Sequence, residues 1–275
     1  MHKKMLWGGT ALGLVATALV AASASVRAEG DAPAAETIMK DTHLNLYYAA
    51  DDGRSTVHMT LTDKRGKTRT RDFTMIRLDL EEGGGQKYYA YFLEPSDVRR
   101  TSFMVWKEPE KDDSRWIYVP AIDLVRRISS KDKGSSFVGS DFSYEDVSGR
   151  HWMDDTHTLL REEERDGTAT YVIESVPHEK DAFAKKITWV SVADKLPIRE
   201  EYYDKKGELF RVFTADEMKD IDGILTISKR TMTNVKKNHS TTVEFTGIHY
   251  NLGIEDGFFT ERYLKAPPKV VTAMN

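Results

Sequence analysis

Residues 56–80 read TVHMTLTDKRGKTRTRDFTMIRLDL. Val57, Met59 and Leu61 alternate with Thr56, His58, Thr60 and Thr62. A period of two is the mark of a strand with one face buried. Lys64-Arg65-Gly66-Lys67 then supplies a turn, and Arg71 to Leu80 returns as a second strand. Its alternation flips near Met75, as a β-bulge would cause. Two alternating runs joined by a short glycine turn predict an antiparallel hairpin.

The same grammar continues along the chain. Strands are predicted at Gln86–Leu93, Thr101–Trp106, Arg115–Val119 and Leu124–Ile128, then at Thr158–Glu163 and Ala169–Val176, joined by Asp166-Gly167. Lys186–Val192, Ile198–Tyr203, Leu209–Met218, Leu225–Val235 and Ser240–Tyr250 follow, with Asp194-Lys195, Lys205-Lys206-Gly207 and Asp222-Gly223 as turns. Strands that follow one another through short turns form a meander. About ten long antiparallel strands in one domain must curl or close. Two helices are predicted. One spans Glu36–Tyr48 on a broken stripe of Ile38, Met39, Leu44 and Leu46 to Tyr48; the other begins at a capping Asp256 and ends before Pro267-Pro268. Asp51-Asp52-Gly53 reads as a turn.

The N-terminus has its own logic. Lys3 and Lys4 precede a run of apolar and small residues from Met5 to Ala22, and Val26-Arg27-Ala28 offers a cleavage site. This layout predicts a signal peptide over residues 1–28, with an uncleaved membrane anchor as the alternative, and a single domain over 29–275. The chain has no cysteine, so its core stands without disulfides, and no cysteine is available for lipid attachment. The expected location is the periplasm. The net charge of −4 becomes −7 once Lys3, Lys4 and Arg27 leave with the signal. That argues against a nucleic-acid partner.

Candidate chemistry is sparse. Lys133-Gly134-Ser135-Ser136 lacks the leading glycine of a phosphate loop and sits between strands. Gly139-Ser140-Asp141 is not a Gly-x-Ser-x-Gly elbow; a hydrolase acting through Ser140, Asp141 and His151 is a minor alternative, and a tight turn accounts for the same residues. Among the eight histidines no pair has the spacing of a zinc site on a helix. His151, Asp154, Asp155 and His157 form the densest cluster and read equally as an exposed loop. The pairs Asp51-Asp52, Asp112-Asp113 and Asp154-Asp155 read as solvated turns. No metal, cofactor or catalytic residue is expected. Aromatic residues are spread over the strands, and they suit either a filled core or an apolar ligand cavity.

Three segments carry a resemblance: YFLEPSDVRRTSFMVW (91–106), RWIYVPAIDLVRRISS (115–130) and GSSFVGSDFSYEDV (134–147), with DGFFTERYL (256–264) near the end. They resemble the bacterial outer-membrane lipoprotein-sorting family of the LolA/LolB-like superfamily. One departure is Arg99-Arg100-Thr101, where the family pattern expects Arg-Gly-Thr; a turn that tolerates a side chain is expected there. The resemblance implies a mainly β fold with a few helices (α+β): an incomplete antiparallel β-barrel with a helical lid over an apolar cavity. It implies carriage of a lipid or of lipoprotein acyl chains between membranes, without catalysis. The implied partners are an RND-type inner-membrane permease and an outer-membrane acceptor, with the chain a monomer. An arginine that locks the lid in the family's best-known carrier has no matching motif here. A buried methylene contributes about 0.8 kcal/mol, so a lid that must leave its own packing would offset tight binding and permit release. The cavity residues expected are Phe92, Phe103, Val105, Trp116, Tyr118, Phe137, Trp189 and Phe213, with Arg126 and Arg127 at the mouth beside an anionic head group. An accessory transporter subunit that carries no ligand is the alternative from another class.

Overall fold

The computed structural model describes residues 32–109 and 111–272. The expected signal peptide lies outside the described residues. The hairpin of residues 56–80 forms as read: β1 (Asp52–Thr62) and β2 (Thr68–Asp79) pair without a break from Asp52 opposite Leu78 to Thr62 opposite Thr68. The turn is held by the Asp63 carboxylate, which accepts from the Arg65 and Lys67 amides at 2.8 and 3.0 Å. Gly66 takes φ +78°, a conformation open to glycine at little cost.

Eleven further strands extend this pair: β3 (Gln86–Glu94), β4 (Ser102–Lys107), β5 (Ser114–Val119), β6 (Leu124–Ile128), β7 (Asp155–Arg165), β8 (Thr168–Pro177), β9 (Lys185–Ser191), β10 (Pro197–Tyr203), β11 (Leu209–Ile221), β12 (Ile224–Asn234) and β13 (His239–Tyr250). All belong to one antiparallel sheet in the order β6-β5-β4-β3-β2-β1-β13-β12-β11-β10-β9-β8-β7. Asp166-Gly167 and Asp222-Gly223 take positive φ at both positions, as two-residue hairpin turns require. The sheet is open. Its edges, β6 and β7, are consecutive in sequence, so residues 129–154 must travel from one edge to the other. This segment is the strap.

The strap and α1 (Ala35–Tyr47) cover one face of the sheet, here the inner face. Ala35, Ile38 and Met39 of α1 pack on Tyr171, Ile173 and Val190. The buried stripe continues through Thr42 and His43, at the i+7 and i+8 positions counted from Ala35. Polar residues at these positions are why the stripe reads as broken in sequence.

The outer face of β2 to β5 is covered as well. Ile76, Tyr89, Met104, Trp116 and Tyr118 lie beneath Ile254, Phe259, Leu264 and Val271. The last three belong to the C-terminal tail that carries α3 (Glu261–Lys265) and α4 (Lys269–Thr272). The Trp106 indole donates to the Phe259 carbonyl at 2.8 Å, and the Ser102 hydroxyl donates to that of Leu264 at 2.8 Å. This double coverage explains why β2 and β3 are apolar on both parities. It also corrects the bulge expected at Met75: the register with β1 is unbroken there, and the irregularity in β2 lies against β3 at Asp72 and Phe73.

Two further expectations change. The short helix expected from Asp256 is split: Asp256 begins a 3-10 turn, Asp256–Phe258, and pairs with Lys87, and the helix proper is α3, starting at Glu261 after Thr260. The carboxylate pairs are not all solvated. Asp52 lies inside β1, buried, and accepts the amides of Leu252, Gly253 and Ile254 at 2.7, 2.8 and 3.0 Å. Asp113 and Asp155 are also sequestered, each paired to an arginine, Arg115 at 2.5 Å and Arg150 at 2.9 Å. A carboxylate next to another in sequence can turn inward when a cation or three amides await it.

Candidate binding cavity

The strap enters the inner face through Phe137, whose ring is 5.2 Å from Phe103 and 5.8 Å from Phe92, centroid to centroid. Phe142, Tyr144 and Val147 follow it. Its α-helix, α2 (Tyr144–Ser148), starts with a capping box. Ser143 N donates to Asp146 Oδ2 at 2.6 Å, and Asp146 N donates to Ser143 Oγ at 3.1 Å. Gly149 ends the helix at φ +75°, and a Cβ there would overlap the end of the Tyr47 ring of α1. Lys107 donates to the carbonyls of Ser148 and Gly149 at 3.0 and 2.7 Å; burial lowers its pKa to about 8. Arg150 gathers Glu145, Asp155 and Asp181 at 3.2, 2.9 and 2.6 Å. Burial opposes its charge, yet these carboxylates hold its pKa above the ordinary arginine range. The strap is thus fastened to sheet and helix by charge at its end and by rings at its middle.

Two cavities lie between α1, the strap and the sheet. The first, of about 100 Å³, is bounded by Met39, His43 and Tyr47 of α1, by Asp146 and Arg150 of the strap, and by Lys186, Glu200, Tyr202, Arg211, Phe213, Arg230 and Met232 of the sheet. The second, of about 150 Å³, is more apolar. Leu46, Met75, Tyr88, Val147, Ile227, Phe245 and Ile248 line it, together with Arg54, Arg77 and Arg230. Leu46, Tyr47 and Arg230 border both. Each volume is below the ~300–1,000 Å³ of sites that enclose drug-sized ligands.

Charge inside the sheet was the unexpected element. Arg211 pairs with Asp146 at 3.0 Å and stacks over Tyr202 at 4.5 Å. Burial opposes its charge, and Asp146 with Tyr202 raises its pKa above the ordinary range. Lys186 pairs with Glu200 at 2.7 Å, and Glu200 also accepts from the Tyr202 hydroxyl at 2.6 Å. The apolar cavity implied by the resemblance has a charged wall as well. A signal was present in the sequence. Glu200-x-Tyr202, Arg211-x-Phe213 and Arg230-x-Met232 each place a charge on the parity of a core residue.

The residues expected at the cavity divide. Phe92, Phe103, Val105, Phe137 and Phe213 face inward in one core cluster. Phe213 borders the first cavity, and Phe137 borders only a small third one of about 20 Å³. Phe92, Phe103 and Val105 are fully packed against the strap and line neither of the two larger cavities. Trp116 and Tyr118 lie on the outer face under the C-terminal tail. Trp189 also faces out, with Val172 and Ile187, between the guanidinium groups of Arg165 and Arg199. Arg126 and Arg127 are exposed on edge strand β6, and they point apart as neighbours on a strand must. Arg127 lies over the Trp116 ring at 5.8 Å, whereas Arg126 bonds the Tyr144 side chain. Neither borders a cavity described above.

The hydrolase arrangement does not assemble. Ser140 donates to the Phe142 carbonyl at 3.2 Å. The Asp141 carboxylate engages His239 and Thr241 at 2.6 and 2.7 Å. His151 lies against His43 of α1, with ring centroids 4.9 Å apart. The histidine–aspartate cluster disperses likewise. His157 bonds Ser175 and the Trp152 carbonyl, both at 2.8 Å, and Asp155 serves Arg150. Burial lowers the pKa values of His151 and His157. Among the described residues no helix is long and apolar enough to cross a membrane.

An open antiparallel sheet with few helices is a LolA-like fold. A family model described as "Uncharacterized protein" matches residues 84–266, more than half of the chain, and the chain belongs to that family, DUF1329. A DUF1329 family protein from Desulfovibrio piger is 28% identical, with a TM-score of 0.78 over 84% of this chain and 98% of that one. A domain from Vibrio parahaemolyticus, provisionally described as an outer membrane lipoprotein-sorting protein, is 29% identical, with a TM-score of 0.79 over the same shares. A LolA superfamily protein from Nitrosomonas europaea, 17% identical with a TM-score of 0.67, covers 84% of this chain and 100% of its own; it shares the fold. No curated protein matches the chain.

Proposed function

We propose that the chain is a carrier that takes the apolar part of a lipid, or the acyl chains of a lipoprotein, between α1, the strap and the inner face, and moves it between membranes. The observation that carries this reading is the pair of adjoining cavities beneath α1. The lipoprotein-sorting description of the Vibrio parahaemolyticus domain supports it. The signal-like residues 1–28 support a periplasmic location for this work. An RND-type permease and an outer-membrane acceptor would be the partners, and no chemistry is required of the protein itself. At their present size the cavities hold only part of an acyl chain, so loading requires α1 to lift. Its packing is then the cost that offsets the apolar gain and permits unloading.

The small cavities give the accessory-subunit reading its one support. Native mass spectrometry on protein purified from cells with intact membranes separates the two. A co-purifying lipid, displaced by an apolar fluorescent probe, is the result expected of a carrier. A ligand-free protein that binds no probe identifies an accessory subunit.

A further inference from the structure

Arg230 of β12 borders all three cavities. Its guanidinium lies 4.9 Å from the Phe245 ring centroid and 5.6 Å from that of Phe142. Its Nε is sealed from solvent and has no hydrogen-bond partner among the described residues. Tyr47, Asp146, Tyr88 and Glu200 act on it electrostatically, and of these Asp146 and Glu200 are carboxylates. Both are already engaged, Asp146 by Arg211 at 3.0 Å and Glu200 by Lys186 at 2.7 Å. Burial holds the guanidinium below the ordinary arginine range. Its neighbours Arg211 and Lys186 have carboxylate counter-ions of their own; Arg230 has none among the described residues, and its surroundings are the Phe142 and Phe245 rings, Tyr47, Tyr88 and the cavities.

We infer that Arg230 is the receptor for the anionic head of an amphiphile whose apolar chain lies along Met75, Tyr88, Ile227 and Phe245 in the second cavity. A planar cation with free N–H groups suits a carboxylate or a phosphate, which share the anionic oxygens it would bind. The rings of Phe142 and Phe245 hold the guanidinium in place while the site is empty. Closing an ion pair at a desolvated position favours a charged ligand over a neutral one of equal length. The inference rests on the carrier reading and adds a polarity to it: head at the junction, chain toward β13.

Displacement of an apolar fluorescent probe from the purified protein by three sixteen-carbon ligands tests this: hexadecanoate, hexadecyl phosphate and hexadecanol. The wild-type protein should bind one or both anions at least tenfold more tightly than the alcohol, and the better anion identifies the head group. Arg230→Gln should erase that preference and keep the affinity for the alcohol, which also shows that the variant folds. Arg230→Lys should keep part of the preference. A wild-type protein that binds alcohol and anions alike, or an Arg230→Gln variant that keeps the preference, overturns the inference and leaves the carrier reading standing. Failure of the wild type to bind the probe and all three ligands removes both.

Discussion

The imidazole of His43, on α1, lies 4.9 Å from that of His151, on the strap, and His43 Nε2 is buried without a hydrogen-bond partner among the described residues. Burial lowers the His43 pKa to about 2, and the charges of Lys107, His151 and Lys186 push the same way. The helix that covers the cavities is therefore seated on a histidine that must stay neutral. In the unfolded chain His43 titrates near 6.5, so unfolding below that pH takes up a proton that the folded state refuses. Stability from this group is complete above pH 6.5. It is lost on acidification from 6.5 toward 2, at up to about 1.4 kcal/mol per pH unit. Urea titrations at pH 7 and pH 5 should show a steeper loss for the wild type than for His43→Leu. Equal losses would remove His43 as the acid-sensitive seat of α1.

Gly149 and Tyr47 form the second contact between strap and helix. Gly149→Ala adds a Cβ where the Tyr47 ring stands and forces a left-handed φ on alanine. The expected cost is about 1–3 kcal/mol. Part of it should disappear in a Tyr47→Ala background, which a double-mutant cycle measures by urea denaturation. Strict additivity would mean that the ring moves aside freely.

Arg100 occupies φ +67° in the turn between β3 and β4, where the resemblance leads to an expectation of glycine. The turn does tolerate a side chain, under strain. A left-handed residue other than glycine costs roughly 1–2 kcal/mol, and glycine gives back ~0.5–1 kcal/mol in lost freedom. Arg100→Gly should stabilise the protein by up to about 1 kcal/mol, seen as a higher thermal midpoint. A lower midpoint would show that the exposed guanidinium makes a contact worth more than the strain.

The two faces of the sheet should respond differently to substitution. Ile227→Trp overfills the second cavity and should weaken binding of an apolar probe at least tenfold. Trp189→Phe, on the outer face, should leave probe affinity within twofold while costing about 1 kcal/mol of stability through its lost bond to Glu163 at 2.5 Å. Matching effects of the two on affinity would place the ligand outside the inner face.

The strands were legible because their turns are explicit: Gly66, Asp166-Gly167 and Asp222-Gly223 mark hairpins that formed. Which face each strand turns inward was not. The C-terminal tail covers the outside of β2 to β5, so Tyr89, Trp116 and Tyr118 look like core without being interior. The strap's role was hidden for another reason. Lys131 to Ser136 read as a solvent loop and Gly139-Ser140-Asp141 as a turn; Phe137, expected at the cavity, is 1% exposed and packed into the core. One aromatic ring inserted among four others is a tertiary fact with no local period. The charged wall escaped notice because alternation assigns charges to the solvent side. Lys186, Arg211 and Arg230 break that rule on strands that curl around the cavity.

The pairing of β1 with β13 has a consequence for how the chain comes to be folded. The strand nearest the N-terminus finds its partner only in the last forty or so residues, and every other neighbour in the sheet is adjacent in sequence. A nascent chain without β13 holds two unconnected sheets, each with an unsaturated inner edge of the kind that recruits other strands. The continuous sheet therefore depends on β13, the one strand that joins β1 to β12.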